Sequence, residues 1–334
     1  MSFLAKLVIN SATRQVWPSG ADGRLNILFY HRVLLEPDPL TPELMDAATF
    51  ERQIKALASV FTIVPLEVAV EQLYSGTIKP LTLSISFDDG YMDNHEIAAP
   101  ILKKHKLHAT FYLTSGFMNG RLMYNDQILE TIRRLPTGKY DFSWLGLSEF
   151  SISDVTSRRK LFLSLVASVK YLSSEQRDAV CNRLVAMVDG KLPLNVMMRA
   201  EHILNLHRSG MSIGGHTVDH PILLGLNDKD ACSQIVRNRD DLADIIGEKP
   251  RLFAYPNGKP GFDYDTRHVG MVRDAGYSSA VSTSLGTAIR ESDRFQLPRL
   301  SPWESSNAWL LVRIARMAWT GKARLADSAW SPNM

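Results

Sequence analysis

The sequence predicts an α/β protein built on a parallel β-sheet, with one helical segment inserted into it. Residues 25–113 and 211–300 alternate strand-like and helix-like patterns, and repeated βα units form parallel sheets. Polar, glycine-containing segments follow the predicted strands. In a barrel of βα units, the site is built at that end of the strands. A length of 334 residues suits one such barrel as a single domain.

The first alternating stretch predicts four strands and three helices. Short apolar or alternating runs indicate strands, and apolar residues at helical spacing indicate helices. The predicted strands are residues 25–30, 61–66, 81–87 and 109–113, and the predicted helices are residues 50–60, 67–74 and 97–105.

The pattern between residues 124 and 206 is mainly helical. Its clearest helices are predicted at residues 154–171 and 174–188. Asp154 and Ser174 are suitable N-caps for them, because each side chain can accept a hydrogen bond from a free backbone N–H. We interpret this segment as an insertion in the barrel, since a separate domain is normally flanked by a linker on both sides.

The second alternating stretch completes the barrel. Its predicted strands are residues 211–213, 252–255, 277–281 and 295–300, and its predicted helices are residues 228–246 and 266–275. The predicted organisation is an N-terminal extension (1–24), a barrel (25–303) that contains the insertion (124–206), and a C-terminal tail (304–334).

Composition excludes several classes of protein. The net charge of +3 is too small for a nucleic-acid-binding surface. Cys181 and Cys232 lie outside any CxxC pair, so we expect two buried thiols in a reducing compartment. The sequence shows neither a secretory signal nor a membrane span. We therefore expect a cytoplasmic protein.

Two adjacent carboxylates, Asp88 and Asp89, follow the strand predicted at residues 81–87. Like charges this close are costly unless a cation or a proton relieves the repulsion. A solvated turn is the alternative interpretation, because Asp-Gly is common in turns.

Two histidines, His216 and His220, follow the strand predicted at residues 211–213. Their spacing places both on one side of a helical turn and suits two imidazoles on one zinc ion, although two unrelated histidines are the alternative. The preceding Gly214 and Gly215 let the backbone approach closely. With one aspartate, these histidines form a ligand set for a catalytic metal, because three protein ligands leave positions open for water. The expected cofactor is one divalent ion, zinc first, with cobalt, nickel, manganese or iron as alternatives.

The two motifs together resemble the polysaccharide deacetylases that share the NodB homology domain, carbohydrate esterase family 4. The matching segments are SFDDG at residues 86–90 and HTVDH at residues 216–220, in the same order and strand context. The resemblance extends over residues 25–303. Three shorter segments are similar to the branch that acts on exopolysaccharides containing N-acetylglucosamine: FYHRV (29–33), FAYPNG (253–258) and QLPRL (296–300).

This resemblance implies a fold and a set of roles. The fold would be a distorted (β/α)7-like barrel with the helical insertion. Asp89, His216 and His220 would bind the metal ion, Asp88 would be the general base, and His31 would be the general acid. The reaction would remove N-acetyl groups from an exopolysaccharide or a lipid-linked glycan, giving acetate and a free amine.

The chain departs from the peptidoglycan and chitin deacetylases of this family in two places. Ala254 stands where they carry an arginine that supports the catalytic aspartate, and LPRL at residues 297–300 lacks the histidine of their general acid. We expect Arg299 to take the arginine's role and His31 the acid's role. Oxyanion contacts from a backbone turn and stacking contacts with the sugar are expected from Tyr255, Asn257 and Trp303.

The C-terminal segment at residues 309–324 is apolar and basic, without an acidic residue. Such a segment can lie on the inner membrane surface, and a final helix packed on the barrel is the alternative. The expected partners are thus an N-acetylated glycan and the membrane surface, with no nucleic acid. Two other functions stay open, namely a metal-dependent amidase or deformylase on a non-sugar or lipid-linked substrate, and a non-catalytic glycan-binding protein.

Overall fold

The computed structural model describes residues 16–304, 306–320 and 325–326. Residues 1–15 of the predicted N-terminal extension and residues 305, 321–324 and 327–334 of the predicted C-terminal tail lie outside the described residues. The strands of the barrel sheet and of the insertion are β1 Leu25–Tyr30, β2 Thr62–Ile63, β3 Thr82–Phe87, β4 Thr110–Leu113, β5 Gly138–Tyr140, β6 Phe150–Ile152, β7 Ser212–Gly215, β8 Leu252–Ala254, β9 Ser279–Leu285 and β10 Leu297–Arg299. Two further short strands, Val33–Leu34 and Met45–Asp46, pair only with each other. The helices are α1 Ala47–Val60, α2 Leu66–Ser75, α3 Ala99–Lys104, α4 Tyr124–Arg134, α5 Val155–Val169, α6 Ser174–Ala186, α7 Ala200–Arg208, α8 Asp228–Ile246, α9 Thr266–Asp274 and α10 Asn307–Thr320.

Seven strands form a parallel barrel in the order β1-β3-β4-β7-β8-β9-β10, and the short β2 pairs with β3. The Phe29 N–H donates to the Leu300 carbonyl (3.1 Å), and the Leu300 N–H donates to the Ile27 carbonyl (2.9 Å). These bonds join the end of β10 to β1, so the barrel nearly closes. The predicted fold class, a distorted (β/α)7-like barrel, is confirmed.

Alternation along β3 explains how the barrel positions its site. Every residue of this strand is buried, as expected for a parallel strand covered on both faces. Phe87 points outward and contacts Phe50 of α1, with ring centroids 5.7 Å apart. Ser86 faces the opposite way and accepts a hydrogen bond from Arg299 in the interior. Side chains alternate with a period of two, so Asp88 is directed to the same interior side as Ser86.

The insertion contains more than helices. Between α4 and α5, strands β5 and β6 form an antiparallel hairpin with Gly138 opposite Ile152, which the mainly helical prediction missed. The insertion has its own apolar core, which includes Phe142, Leu165 and Val180. An element that buries apolar surface of its own can hold its shape beside the barrel.

Three further predictions need correction or qualification. The N-cap of α6 is Ser173, not Ser174, because Ser173 and Gln176 exchange the two hydrogen bonds of a capping box. Cys181 is buried as predicted, but Cys232 is exposed on α8, so the expectation of two buried thiols was wrong for it. The tail helix α10 packs on the barrel through Leu310, Ile314 and Ala318.

Candidate active site

Asp88 and Arg299 form a buried ion pair inside the barrel. Both guanidinium NH groups donate to the Asp88 carboxylate at 2.7 Å. The Arg299 Nε–H donates to the Ser282 carbonyl at 3.0 Å, which fixes the plane of the guanidinium. Two parallel N–H···O bonds of this kind are strong and directional. The barrel thus brings Arg299 of its last strand, β10, to the carboxylate of Asp88 directly after β3.

This ion pair decides the ionisation of Asp88. Burial alone would raise the pKa of the carboxyl, but the charge and hydrogen bonds of Arg299, with a contribution from His216, hold it below its ordinary value. Asp88 is therefore an anion at neutral pH although it is buried. An ionised carboxylate in such a site is able to accept a proton.

Asp89, His216 and His220 converge on one point beside Asp88. The Nε2 atoms of both histidines lie 3.4 Å from Oδ1 of Asp89. The possible ligand atoms of the three side chains all lie within 4.8 Å of one another. The sequence predicted these residues as one ligand set, and the barrel brings them together from β3 and β7.

The hydrogen bonds around this cluster fit a cation. His216 Nδ1 lies 2.7 Å from the Ala254 carbonyl, and because a carbonyl only accepts, Nδ1 carries the proton. Burial favours the neutral ring, but the contact with Asp89 and the charge of Asp88 raise the pKa of His216 above its ordinary value, and Nε2 faces Oδ1 of Asp89. Oδ1 of Asp89 is buried and has no hydrogen-bond partner among the described residues. Two imidazole nitrogens and a carboxylate oxygen that converge on one point are a suitable ligand set for a cation, and a carbonyl hydrogen-bonded to the far side of one imidazole is a usual second-shell contact of a metal site.

The backbone around the histidines is a tight loop rather than the helical turn that the spacing predicted. Thr217 and His220 have φ angles of 65° and 52°, and Asp89 has a φ of 79°. Non-glycine residues rarely adopt such values, and they persist where the surrounding structure enforces them. The spacing of four residues thus correctly predicted that the two histidines lie together, but a loop and not a helical turn brings them there.

Two residues of α8 shape this loop, and the sequence analysis missed both. Gln234 accepts hydrogen bonds from the N–H groups of Val218 (3.0 Å) and Asp219 (2.8 Å). Asn238 accepts from the His216 N–H (2.9 Å) and donates to the Leu113 carbonyl (3.0 Å). Their signal in the sequence is a pair of amides four residues apart, which lie on one face of a helix.

His31, the predicted general acid, lies at the exposed rim of the same site, directly after β1. The Asn94 side-chain amide donates to its carbonyl at 2.7 Å. The adjacent Arg32 donates to the Asp93 carboxylate at 2.8 Å. These contacts hold the backbone of His31 while its ring stays accessible to a bound molecule.

These side chains surround a cavity of about 310 Å³, which we call the catalytic cavity. The barrel supplies His31, Asp88, Asp89, His216 and His220. The insertion supplies Tyr124, Asn125, Phe162, Val166 and Lys170. One wall of the cavity is therefore built by the insertion.

The predicted oxyanion and stacking residues differ in their placement. Tyr255 lines the cavity, but its N–H donates to the Val281 carbonyl and its hydroxyl donates to the Phe295 carbonyl. Asn257 also lines the cavity, with a left-handed backbone (φ 56°). Trp303 is 68% exposed and does not line the catalytic cavity.

Comparisons with known proteins agree with this geometry. The profile of the family described as "Polysaccharide deacetylase" matches residues 76–139 and 182–280, which leaves residues 140–181 of the insertion unmatched. YxkH of Bacillus subtilis (strain 168), a protein named as a polysaccharide deacetylase, is 22% identical over 290 residues, which are 86% of this chain and 75% of YxkH.

Two solved structures share the fold. The Streptococcus pyogenes deacetylase PplD, solved in complex with acetate, superposes with a TM-score of 0.60 and 16% identity over 88% of this chain and 99% of PplD. IcaB from Ammonifex degensii superposes with a TM-score of 0.57 and 19% identity over 87% of this chain and 98% of IcaB.

Proposed function

This chain belongs to the polysaccharide deacetylase family, a group of hydrolases that act on N-acetyl amides, and we propose that it deacetylates N-acetylated sugars with one divalent metal ion. The observation that carries the proposal is the position of an ionised carboxylate, Asp88, directly beside the Asp89, His216 and His220 cluster in one cavity. A proton acceptor next to a candidate cation site is what hydrolysis of an amide by water requires.

Asp89, His216 and His220 would hold the ion, and zinc suits a set of two imidazoles and one carboxylate. When bound, a divalent ion would polarise the acetamide carbonyl as a Lewis acid. The ion would also occupy the space that Oδ1 of Asp89 and the two Nε2 atoms enclose.

The protein's own residues account for the proton transfers. Asp88 would accept a proton from the attacking water, and Arg299 would hold its carboxylate in the orientation needed. His31 would protonate the leaving nitrogen, because an amine is a poor leaving group until it is protonated.

Asn257 is the best candidate for a backbone donor to the oxyanion. The Tyr255 N–H is already bonded within the barrel, and the intervening Pro256 has no N–H. Asn257 lines the cavity, and its N–H would donate to the oxyanion there.

The decisive experiment is acetate release from a panel of N-acetylated oligosaccharides, with metal-stripped protein before and after addition of zinc or cobalt. We expect the metal to restore release in the wild type and not in Asp88→Asn, which keeps the ligand cluster. Metal binding without acetate release from any sugar would contradict the proposal.

We also propose that α10 lies against the cytoplasmic membrane surface, so that the substrate is a lipid-linked or membrane-proximal glycan. Trp309, Val312 and Trp319 are exposed on one face of this helix, and Arg316 lies on the same side. Interfacial helices combine such aromatic and basic residues. No helix in the part of the chain that the structure describes is long and apolar enough to span a bilayer.

Sedimentation with anionic vesicles tests the proposed membrane contact by comparing the wild type with a Trp309→Ser and Trp319→Ser double variant. Equal, negligible sedimentation of both proteins would contradict the proposal.

A further inference from the structure

A second cavity of about 270 Å³ adjoins the catalytic cavity where the insertion meets the barrel. The insertion supplies its wall from the end of α5 to the first turns of α6, including Lys170, Ser174 and Arg177. The barrel supplies Pro221 and Ile222, which directly follow the candidate metal ligand His220. We call this space the insertion cavity.

Two contacts connect the insertion cavity with the catalytic cavity. Lys170 lines both of them. The guanidinium of Arg177 lies 4.9 Å from the ring centroid of Tyr124, and Tyr124 lines the catalytic cavity. A ligand that fills both spaces would therefore place one part at the catalytic carboxylates and another part between two cations.

The charge in the insertion cavity is one-sided. Its lining includes the cations Lys170 and Arg177 and no carboxylate. Arg177 is only 9% exposed, its guanidinium donates to the Ser174 hydroxyl at 3.4 Å, and no ion pair within 4.0 Å joins it to a carboxylate of the described residues. Lys170 favours the ionised form of Asp263, but Asp263 accepts a hydrogen bond from the Lys259 N–H (2.8 Å) outside this lining.

A buried guanidinium without an anionic partner is unfavourable, so an anion from outside would stabilise this arrangement. The cavity also lies at the N-terminus of α6, where the helix dipole favours negative charge. The Ser174 hydroxyl adds a neutral donor. A guanidinium, an ammonium, a hydroxyl and a helix N-terminus together suit a phosphate group.

We propose that the insertion cavity binds a phosphate group of the substrate, so that the enzyme acts on an N-acetylated sugar carrying a phosphate ester. This inference rests on the proposed deacetylase function, which it makes more specific. The acetamide would lie at Asp88 and the phosphate between Lys170 and Arg177.

The first test compares kcat/KM for N-acetylglucosamine 1-phosphate with that for methyl N-acetylglucosaminide, at low salt. We expect the wild type to prefer the phosphorylated sugar, and Lys170→Gln to reduce this preference about tenfold, since an ionic hydrogen bond is lost. Lys160→Gln is the matched control, because Lys160 is exposed on the same helix and outside both cavities. An equal preference in wild type and Lys170→Gln would overturn the inference.

The second test does not depend on turnover. Calorimetric titration of the metal-free protein with inorganic pyrophosphate should show binding that weakens about tenfold in Lys170→Gln and in Arg177→Gln, but not in Lys160→Gln. Lys170→Gln is decisive if Arg177→Gln folds poorly. Pyrophosphate binding of this kind without acetate release from any sugar would support the anion site and contradict the deacetylase proposal. Deacetylation of neutral sugars without pyrophosphate binding would support the deacetylase proposal and contradict the phosphate site.

The source of the phosphate is decided by two more substrates. Uridine diphosphate N-acetylglucosamine carries it on a nucleotide, and a short-chain prenyl phosphate N-acetylglucosamine carries it on a lipid. We expect Lys170→Gln to lose most of its activity on the substrate that carries the natural kind of phosphate. If the variant loses no more activity on either of these two substrates than on the neutral methyl glycoside, the inference is contradicted.

Discussion

Arg299 and Asp88 are joined by two hydrogen bonds of 2.7 Å although 211 residues separate them in the chain. The pair crosses the barrel interior from its last strand to the loop after β3. Ala254 stands where the sequence resemblance led us to expect a supporting arginine, and its carbonyl accepts a hydrogen bond from His216. The geometry supports the proposal that Arg299 replaces that arginine.

The ion pair predicts a specific pattern of stability and activity. Arg299→Met should destabilise the protein by about 3–5 kcal/mol, because Asp88 is then left buried without its partner. Adding Asp88→Asn should restore most of the stability, since both charges are gone, while acetate release stays absent. Urea denaturation of the two variants measures the difference. If Arg299→Met alone unfolds at the same urea concentration as the wild type, the predicted role of the pair is refuted.

His31 can be tested by changing the leaving group. His31→Ala should lower acetate release from an N-acetylated sugar by about 10²–10⁴-fold, the usual contribution of a positioned acid. The same variant should keep most of its activity on 4-nitrophenyl acetate, because nitrophenolate leaves without protonation. Equal losses on both substrates would assign His31 to substrate binding or to structure instead.

The candidate metal ligands predict a link between stability and metal. The His220 side chain is 18% exposed and that of His216 is 1% exposed, so His220→Ala should disturb the core less. A ligand that binds only the folded state raises its stability. We therefore expect zinc to raise the Tm of the wild type by several degrees and to leave the Tm of His220→Ala unchanged. A zinc-dependent rise of equal size in the variant would remove His220 from the ligand set.

The sequence predicts those parts of the site that follow strands. SFDDG and HTVDH are local motifs, and the order of strands in a barrel brings their side chains to one end. Alternation in β3 also determines which side Asp88 faces. These parts could be predicted because each depends on a few neighbouring residues and on the parallel arrangement of the sheet.

Other parts depend on contacts between distant segments and could not be predicted. Gln234 and Asn238 resemble surface amides of α8 until the histidine loop is seen to lie over them. A spacing of four residues cannot distinguish a helical turn from a loop with positive φ angles at Thr217 and His220. Lys170 likewise becomes part of the site only because the insertion folds back over the barrel.

The two glycines before His216 should not tolerate a side chain. A Cβ at Gly215 would lie 2.2 Å from the Tyr277 hydroxyl, and a Cβ at Gly214 would lie 2.4 Å from the Tyr112 ring. Gly215→Ala should therefore displace β7, lowering both the free energy of unfolding and the affinity for zinc. Gly225→Ala is the control, since a Cβ there meets nothing within 4 Å. Wild-type zinc affinity in Gly215→Ala would show that the loop adjusts independently of the strand.

His108 predicts how stability depends on pH. Burial lowers the pKa of its imidazole from 6.5 to about 4. Its Nε2 lies 3.1 Å from the Ser212 hydroxyl, and its Nδ1 is buried without a hydrogen-bond partner among the described residues. The unfolded chain binds the proton more tightly than the folded protein does. The contribution is therefore fully present above about pH 6.5 and is lost as the pH falls towards about 4.

His108→Gln removes this titration while it keeps an amide that can bond to Ser212. We expect the stability of the wild type, relative to the variant, to fall by about 1–3 kcal/mol between pH 7 and pH 4. Urea denaturation of both proteins at several pH values measures this difference. The difference should be independent of zinc, since His108 lies outside the catalytic cavity. A constant difference between wild type and His108→Gln across this range would mean that the buried ring is not what makes the fold sensitive to acid.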